Sequence, residues 1–71
     1  MGGSIGDRIR LERTTAGLTQ EQLGIAVGVT AEAVSLWESG KRRLAADKVP
    51  SIARALGITV ARLYNEISLS A

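Results

Sequence analysis

Residues 19–40, TQEQLGIAVGVTAEAVSLWESG, predict two short helices joined by a tight turn. Thr19 is a favoured N-cap residue, and Gln22 three positions later completes a Thr-x-x-Gln capping box. Gly28 is expected to end the first helix, because a residue without a β-carbon adopts the left-handed conformation at low cost. The second helix carries the same two signals, a cap at Thr30 and an end at Gly40.

The apolar positions of this segment predict how its two helices pack. The first helix has a stripe expected to be buried, formed by Leu23, Ala26 and Val27. In the second, Val34 and Trp37 are expected to face the core. The opposite face then consists of Ala31, Glu32, Ser35, Leu36 and Ser39. Two short helices with a three-residue break must cross steeply, which is the geometry of a helix-turn-helix motif with its second helix offered to a DNA major groove.

The composition limits the remaining possibilities. Seventy-one residues suffice for one domain near the lower size limit of an independent core. Trp37 and Tyr64 are the only aromatic residues, so the core must be aliphatic. The absence of cysteine and histidine excludes disulfides, the usual zinc sites and the usual nucleophile–base pairs, so we expect neither an enzyme nor a cofactor. No apolar run approaches the ~20 residues of a membrane span, which indicates a soluble, intracellular protein.

The preceding segment predicts a helix that starts at a Ser4 cap, with Asp7 completing the box, and ends before Gly17. Its apolar stripe is predicted to be Ile5, Ile9 and Ala16. Glu12 falls on the same stripe while Leu11 points away from it. We expect the Glu12 carboxylate to bend towards solvent or towards Arg8, one turn earlier.

Two further helices are predicted after a loop over residues 41–46. Asp47 is expected to cap the fourth helix, with Pro50 in its first turn. Its stripe is Val49, Ile52, Ala53 and Leu56. The fifth helix is capped by Thr59, and its apolar face is Leu63, Tyr64 and Ile67. The chain is therefore predicted to be an all-α, compact bundle of five short helices over residues 4–67, with flexible termini at 1–3 and 68–71.

Positive charge is concentrated in the residues that follow the second helix of the motif in the sequence. The net charge is only +2, but five basic and two acidic residues lie between Glu38 and Arg54. Such a run by itself is compatible with a solvated loop. At the exit of a recognition helix, Lys41, Arg42 and Arg43 are better interpreted as contacts to DNA phosphates.

The central segment resembles the Cro and phage-repressor type of helix-turn-helix, the XRE family. The resemblance rests on Gln20, Gly24, the Gly28-Val29-Thr30 turn and the string from Val34 to Arg42, which contains Trp37-Glu38 and Gly40-Lys41-Arg42. It covers residues 5–64. It implies a lambda-repressor-like fold and a sequence-specific transcriptional regulator, a repressor, that is prokaryotic or phage-encoded, cytoplasmic and associated with the nucleoid.

The resemblance also implies roles for individual residues. Gln20 would contact a phosphate and brace the recognition helix, and Arg13 would pair with Glu38. The positions facing double-stranded DNA would be Thr30, Ala31, Glu32, Ser35 and Leu36. Family members commonly bind palindromic operators as homodimers, and Ile67 and Leu69 are either a dimer contact or part of a frayed tail.

One feature leaves an alternative function open. The outward face of the second motif helix lacks Gln, Asn, Arg and Lys, the side chains of the common bidentate base contacts. The fold is therefore also compatible with a protein-interaction module that packs Leu36 and Ala31 against a partner.

Glu32 either complements the helix dipole or accepts a hydrogen bond from a cytosine amino group. The sequence is compatible with a complete small regulator and with the DNA-binding part of a longer repressor.

Overall fold

The computed structural model describes residues 4–64, and every regular element within them is helical. The elements are α1 (Ile5–Thr15), α2 (Gln20–Val27), α3 (Ala31–Ser39), a 3₁₀ turn (Ala46–Lys48), α4 (Val49–Leu56) and α5 (Val60–Leu63). The predicted all-α bundle of five short helices is confirmed. None of these helices combines the length and the apolar character needed to cross a bilayer.

Hydroxyl caps start four of the five α-helices. The side chains of Ser4, Thr19, Thr30 and Thr59 each accept a hydrogen bond from the backbone N–H three residues later. The backbone N–H groups of Ser4 and Thr19 in turn donate to the side-chain oxygens of Asp7 and Gln22, which completes the predicted capping boxes. These bonds satisfy donors that the first helical turn leaves without partners.

The predicted cap of α4 at Asp47 is wrong. Asp47 lies inside the 3₁₀ turn, and the N-cap position belongs to Lys48, whose side chain makes no capping bond. Lys48 already has near-helical angles of φ −89° and ψ −14°, so the turn continues directly into the helix without the extended residue that a side-chain cap requires. Pro50 does lie in the first turn of α4, as predicted.

All five α-helices contribute residues to one hydrophobic core, which is aliphatic except for Trp37. Its buried apolar residues are Ile9, Leu23, Val27, Ala33, Val34, Trp37, Val49, Ile52, Ala53, Leu56 and Leu63. The predicted stripe of α4 is buried completely. The core therefore draws on segments from the start to the end of the described chain.

Three residues predicted on buried faces are exposed instead. Ala16 and Tyr64 are the C-cap residues of α1 and α5, where the helical periodicity has already ended. Ala26 is exposed because the buried stripe of α2 runs through Leu23, Gly24 and Val27, which places Ala26 beyond its edge. Ile67, predicted on the same face as Tyr64, lies outside the described residues.

Gly24 permits the close crossing of α2 over the turn that leads to α3. A β-carbon built on Gly24 would lie 2.7 Å from the carbonyl oxygen of Val29 and 3.1 Å from the carbonyl of Thr30. Backbone atoms cannot move aside as a flexible side chain can. Gly28 completes the turn with φ +81°, in the left-handed region. The close approach of α2 to the turn and the conformation of the turn itself therefore depend on glycines at these two positions.

Glu12 links α1 to α5 rather than facing solvent. Its side chain is buried, and its Oε2 accepts hydrogen bonds from Arg8 Nη1 and Arg62 Nε, both at 3.1 Å. The predicted contact with Arg8 is present, but the expected alternative of a solvent-exposed carboxylate is wrong. Arg62 supplies a second cation from α5, which lets the carboxylate remain at the edge of the core. Leu11 is 54% exposed on the other side of α1.

Candidate nucleic-acid interface

Burial divides α3 into two faces. Ala33, Val34, Trp37 and Glu38 are buried against the bundle. On the opposite face Ala31, Ser35 and Leu36 are partly buried, whereas Glu32 and Ser39 are exposed. Thr30 precedes this face, and its hydroxyl accepts the capping hydrogen bond from the Ala33 N–H at 3.1 Å. The five side chains predicted to face DNA are thus brought together along one outward surface.

The structure brings Arg13 and Glu38 together at the ends of α1 and α3. Arg13 Nε donates to Glu38 Oε2 at 2.6 Å, and Arg13 Nη2 donates to Glu38 Oε1 at 3.1 Å. Arg13 Nη1 donates to the carbonyl oxygen of Leu18 at 2.8 Å. Both charged side chains are almost completely withdrawn from solvent, with exposures of 11% for Arg13 and 4% for Glu38. The hydrogen bonds to Glu38 raise the pKa of Arg13 above its ordinary value, although burial acts in the opposite direction.

Gln20 is the third member of this network. It is the first residue of α2, and its Nε2 donates to Glu38 Oε1 at 3.1 Å. The Glu38 carboxylate therefore joins α1, the start of α2 and the end of α3. The second N–H of the Gln20 amide and its carbonyl oxygen are not used by this bond. This arrangement fixes the orientation of the one side chain on α2 that we predict to contact a phosphate.

The basic loop is attached to the end of α3 through its backbone. The N–H groups of Lys41 and Arg42 both donate to the carbonyl oxygen of Leu36, at 3.0 and 3.2 Å. The side chains of Lys41, Arg42 and Arg43 are exposed. Within residues 4–64, no carboxylate lies at ion-pair distance from these three side chains. Three uncompensated cations therefore project from a loop that is held at the exit of α3.

A polar cleft of about 330 Å³ lies beside this surface. It is lined by Arg10, Arg13, Gln20, Ser35, Glu38 and Ser39. Sequence reasoning missed Arg10. The available signal was its spacing, because Arg10 lies three residues before Arg13 and so shares a face of α1 with it. The cleft connects α1 to the outward face of α3.

A family model described as a helix-turn-helix domain matches residues 4–63. An uncharacterized HTH-type transcriptional regulator of Sinorhizobium medicae is 34% identical over 62 residues, which are 87% of this chain and 45% of that protein. The chain spans about half the length of the curated relatives that it matches.

Two solved structures share the fold closely. The P22 c2 repressor, in complex with a synthetic operator, is 29% identical with a TM-score of 0.80, and the match covers 87% of this chain and 94% of that one. The restriction-modification controller protein C.AhdI of Aeromonas hydrophila is 34% identical with a TM-score of 0.79, covering 83% and 86% of the two chains. The resemblance to phage-repressor type helix-turn-helix proteins is confirmed.

Proposed function

The chain belongs to the family of helix-turn-helix domains, and from this membership we propose that it is a sequence-specific, double-stranded DNA-binding transcriptional repressor that places α3 in the major groove. The observation that carries the proposal is the position of three exposed cations, Lys41, Arg42 and Arg43, which form no ion pair with a carboxylate of residues 4–64. They are held by backbone hydrogen bonds at the end of the helix whose outward face carries the predicted base contacts. An α-helix fits the major groove, and cations beside it neutralise phosphates.

The contacts divide into two kinds. Gln20 and the three cations of the loop would position the domain on the phosphates, without selecting a sequence. Ser35 would hydrogen-bond to a base edge, and Glu32 would accept from a cytosine amino group. Leu36 and Ala31 would pack against thymine methyl groups. The DNA-binding domain would comprise residues 4–67.

We further propose that the protein binds a palindromic operator as a homodimer, in the cytoplasm and at the nucleoid. One recognition helix contacts only a few base pairs, and a two-fold pair of domains doubles the site. Half-sites would then lie about one DNA turn, ~34–36 Å, apart. The dimer contacts expected of Ile67 and Leu69 lie outside the described residues.

A protein-interaction module remains the second candidate, because α3 presents no Gln, Asn, Arg or Lys on its outward face. We propose no catalytic role for this domain, because the family model that it matches is a helix-turn-helix domain and its relative in Sinorhizobium medicae is named a transcriptional regulator.

Selection of bound sequences from a random double-stranded DNA pool tests the proposal. Two inverted half-sites about ten base pairs apart should be enriched, and affinity for the selected DNA should fall steeply as salt is raised. Recovery of no preferred sequence, with binding insensitive to salt, would favour the interaction module.

A further inference from the structure

The polar cleft between α1 and α3 carries one positive charge that no carboxylate of the described residues neutralises. Its charged lining residues are Arg10, Arg13 and Glu38. The two contacts between Arg13 and Glu38 cancel those two charges. No carboxylate among residues 4–64 lies at ion-pair distance from Arg10, which is exposed. The cleft is therefore suited to an anion, with Arg10 as the cation that faces it.

Hydrogen-bond donors are available beside this cation. One N–H of the Gln20 amide donates to Glu38, which orients the amide, and its second N–H has no partner in the part of the chain that the structure describes. The hydroxyl of Ser35 also lines the cleft and makes no hydrogen bond within the described residues. The hydroxyl of Ser39, in contrast, is already donated to the carbonyl oxygen of Leu36. An anion in the cleft would thus meet Arg10 and Gln20, and the Ser35 hydroxyl remains available for the proposed contact to a base edge.

We propose that this cleft holds a phosphate of the DNA backbone and that Arg10 is the charged group that binds it. The inference rests on the proposed function. The major groove is about 12 Å wide, and a helix with its side chains is about 10–12 Å across. A helix in the groove therefore fills it, and the groups that flank the helix meet the phosphates at the edges of the groove. The cleft flanks α3 on the side of α1, whereas the basic loop follows the end of α3. Arg10 therefore adds a phosphate contact that is separate from the loop.

Arg10→Gln tests the proposal, with Arg54→Gln as the matched control. Arg54 is an exposed arginine on α4 that does not line the cleft, so its replacement removes the same charge elsewhere. Affinity for the DNA selected by the wild type is measured across a salt series. Arg10→Gln should reduce the slope of log affinity against log salt by about 0.9, the value of one phosphate contact. Its loss of affinity between ~50 and ~200 mM salt should then be about 3.5-fold smaller than that of the wild type.

Arg10→Lys should keep most of the slope, because a point charge still neutralises the phosphate. Thermal unfolding of Arg10→Gln should match the wild type, since Arg10 has no ion pair to lose among residues 4–64. Equal slopes for Arg10→Gln, Arg54→Gln and the wild type would overturn the phosphate site while leaving the proposed function intact. A wild type whose binding to selected DNA shows no salt dependence would instead refute the proposed function.

Discussion

Arg13 and Glu38, 25 residues apart in the sequence, form a two-point ion pair that joins the last turn of α1 to the last turn of α3. The carboxylate lies at the end of a helix where the backbone dipole disfavours negative charge. Arg13 and Gln20 supply three hydrogen bonds to it, which offset both this disadvantage and the cost of burial. The Arg13–Glu38 pair and Gln20 together therefore hold α3 against the two helices that precede it.

Removal of Glu38 alone should strongly destabilise the domain. Glu38→Ala leaves the buried guanidinium of Arg13 without a counter-charge, which costs on the order of 3–5 kcal/mol. Urea unfolding followed by circular dichroism measures the loss. Glu32→Ala is the matched control, because it removes an exposed acid from the same helix and should cost less than about 1 kcal/mol.

A double variant in which Met replaces Arg13 and Leu replaces Glu38 should be less destabilised than Glu38→Ala, since no charge is left unpaired. An almost unchanged unfolding midpoint for Glu38→Ala would refute the structural importance of the pair.

The close approach of α2 to the turn at Gly24 predicts that alanine at this position lowers the stability of the domain, whereas alanine normally stabilises a helix relative to glycine. Alanine in a helix is normally better than glycine by roughly 1 kcal/mol. Gly24→Ala should nevertheless destabilise the domain by about 1–3 kcal/mol, because the new methyl group overlaps the backbone carbonyl of Val29. Ala26→Gly in the same helix, at an exposed position, should show only the ordinary loss of about 1 kcal/mol. Thermal melting distinguishes the two, and a raised melting temperature for Gly24→Ala would contradict the close crossing.

Local sequence signals predicted most of the fold because each of them depends only on residues that are close together in the sequence. The hydroxyl caps at Ser4, Thr19, Thr30 and Thr59 each depend on a residue and the N–H three positions later, so short patterns suffice. The errors at Ala16 and Tyr64 arose where a helix ended one residue earlier than its apolar pattern did.

Contacts between segments that are distant in the sequence were harder to predict. Glu12 and Arg62 are 50 residues apart, and only the packing of α5 on α1 brings them together. The cleft at Arg10 likewise depends on where α3 lies relative to α1, which periodicity within α1 does not determine. The Arg13–Glu38 pair was anticipated from the family resemblance rather than from any local pattern. Sequence reasoning therefore found the outward residues of α3 and missed the cation beside them.

The basic loop should contribute affinity without sequence preference. Arg42→Gln should weaken binding by a similar factor on all DNA sequences and reduce the salt slope by ~1, because a phosphate contact is lost. Arg54→Gln again controls for the removal of one charge. The measurement is a salt series on two DNA duplexes, one selected and one scrambled. A loss of affinity confined to the selected duplex would indicate that Arg42 contacts a base instead.

Leu36 should contribute sequence preference without salt dependence. Its partly buried side chain lies on the outward face of α3 and has no group that can hydrogen-bond to a base. It can therefore discriminate only by packing, as on a thymine methyl group. Leu36→Ala should therefore remove a mismatch penalty of about 1–3 kcal/mol at one base pair and leave the salt slope intact. Leu11→Ala is the control, because it truncates an exposed leucine on α1 that is not on this face. Competition binding with a set of single-base variants of the selected DNA locates the affected base pair. If Leu36→Ala leaves every preference unchanged and instead abolishes binding to a protein partner, α3 serves the interaction module and not the major groove.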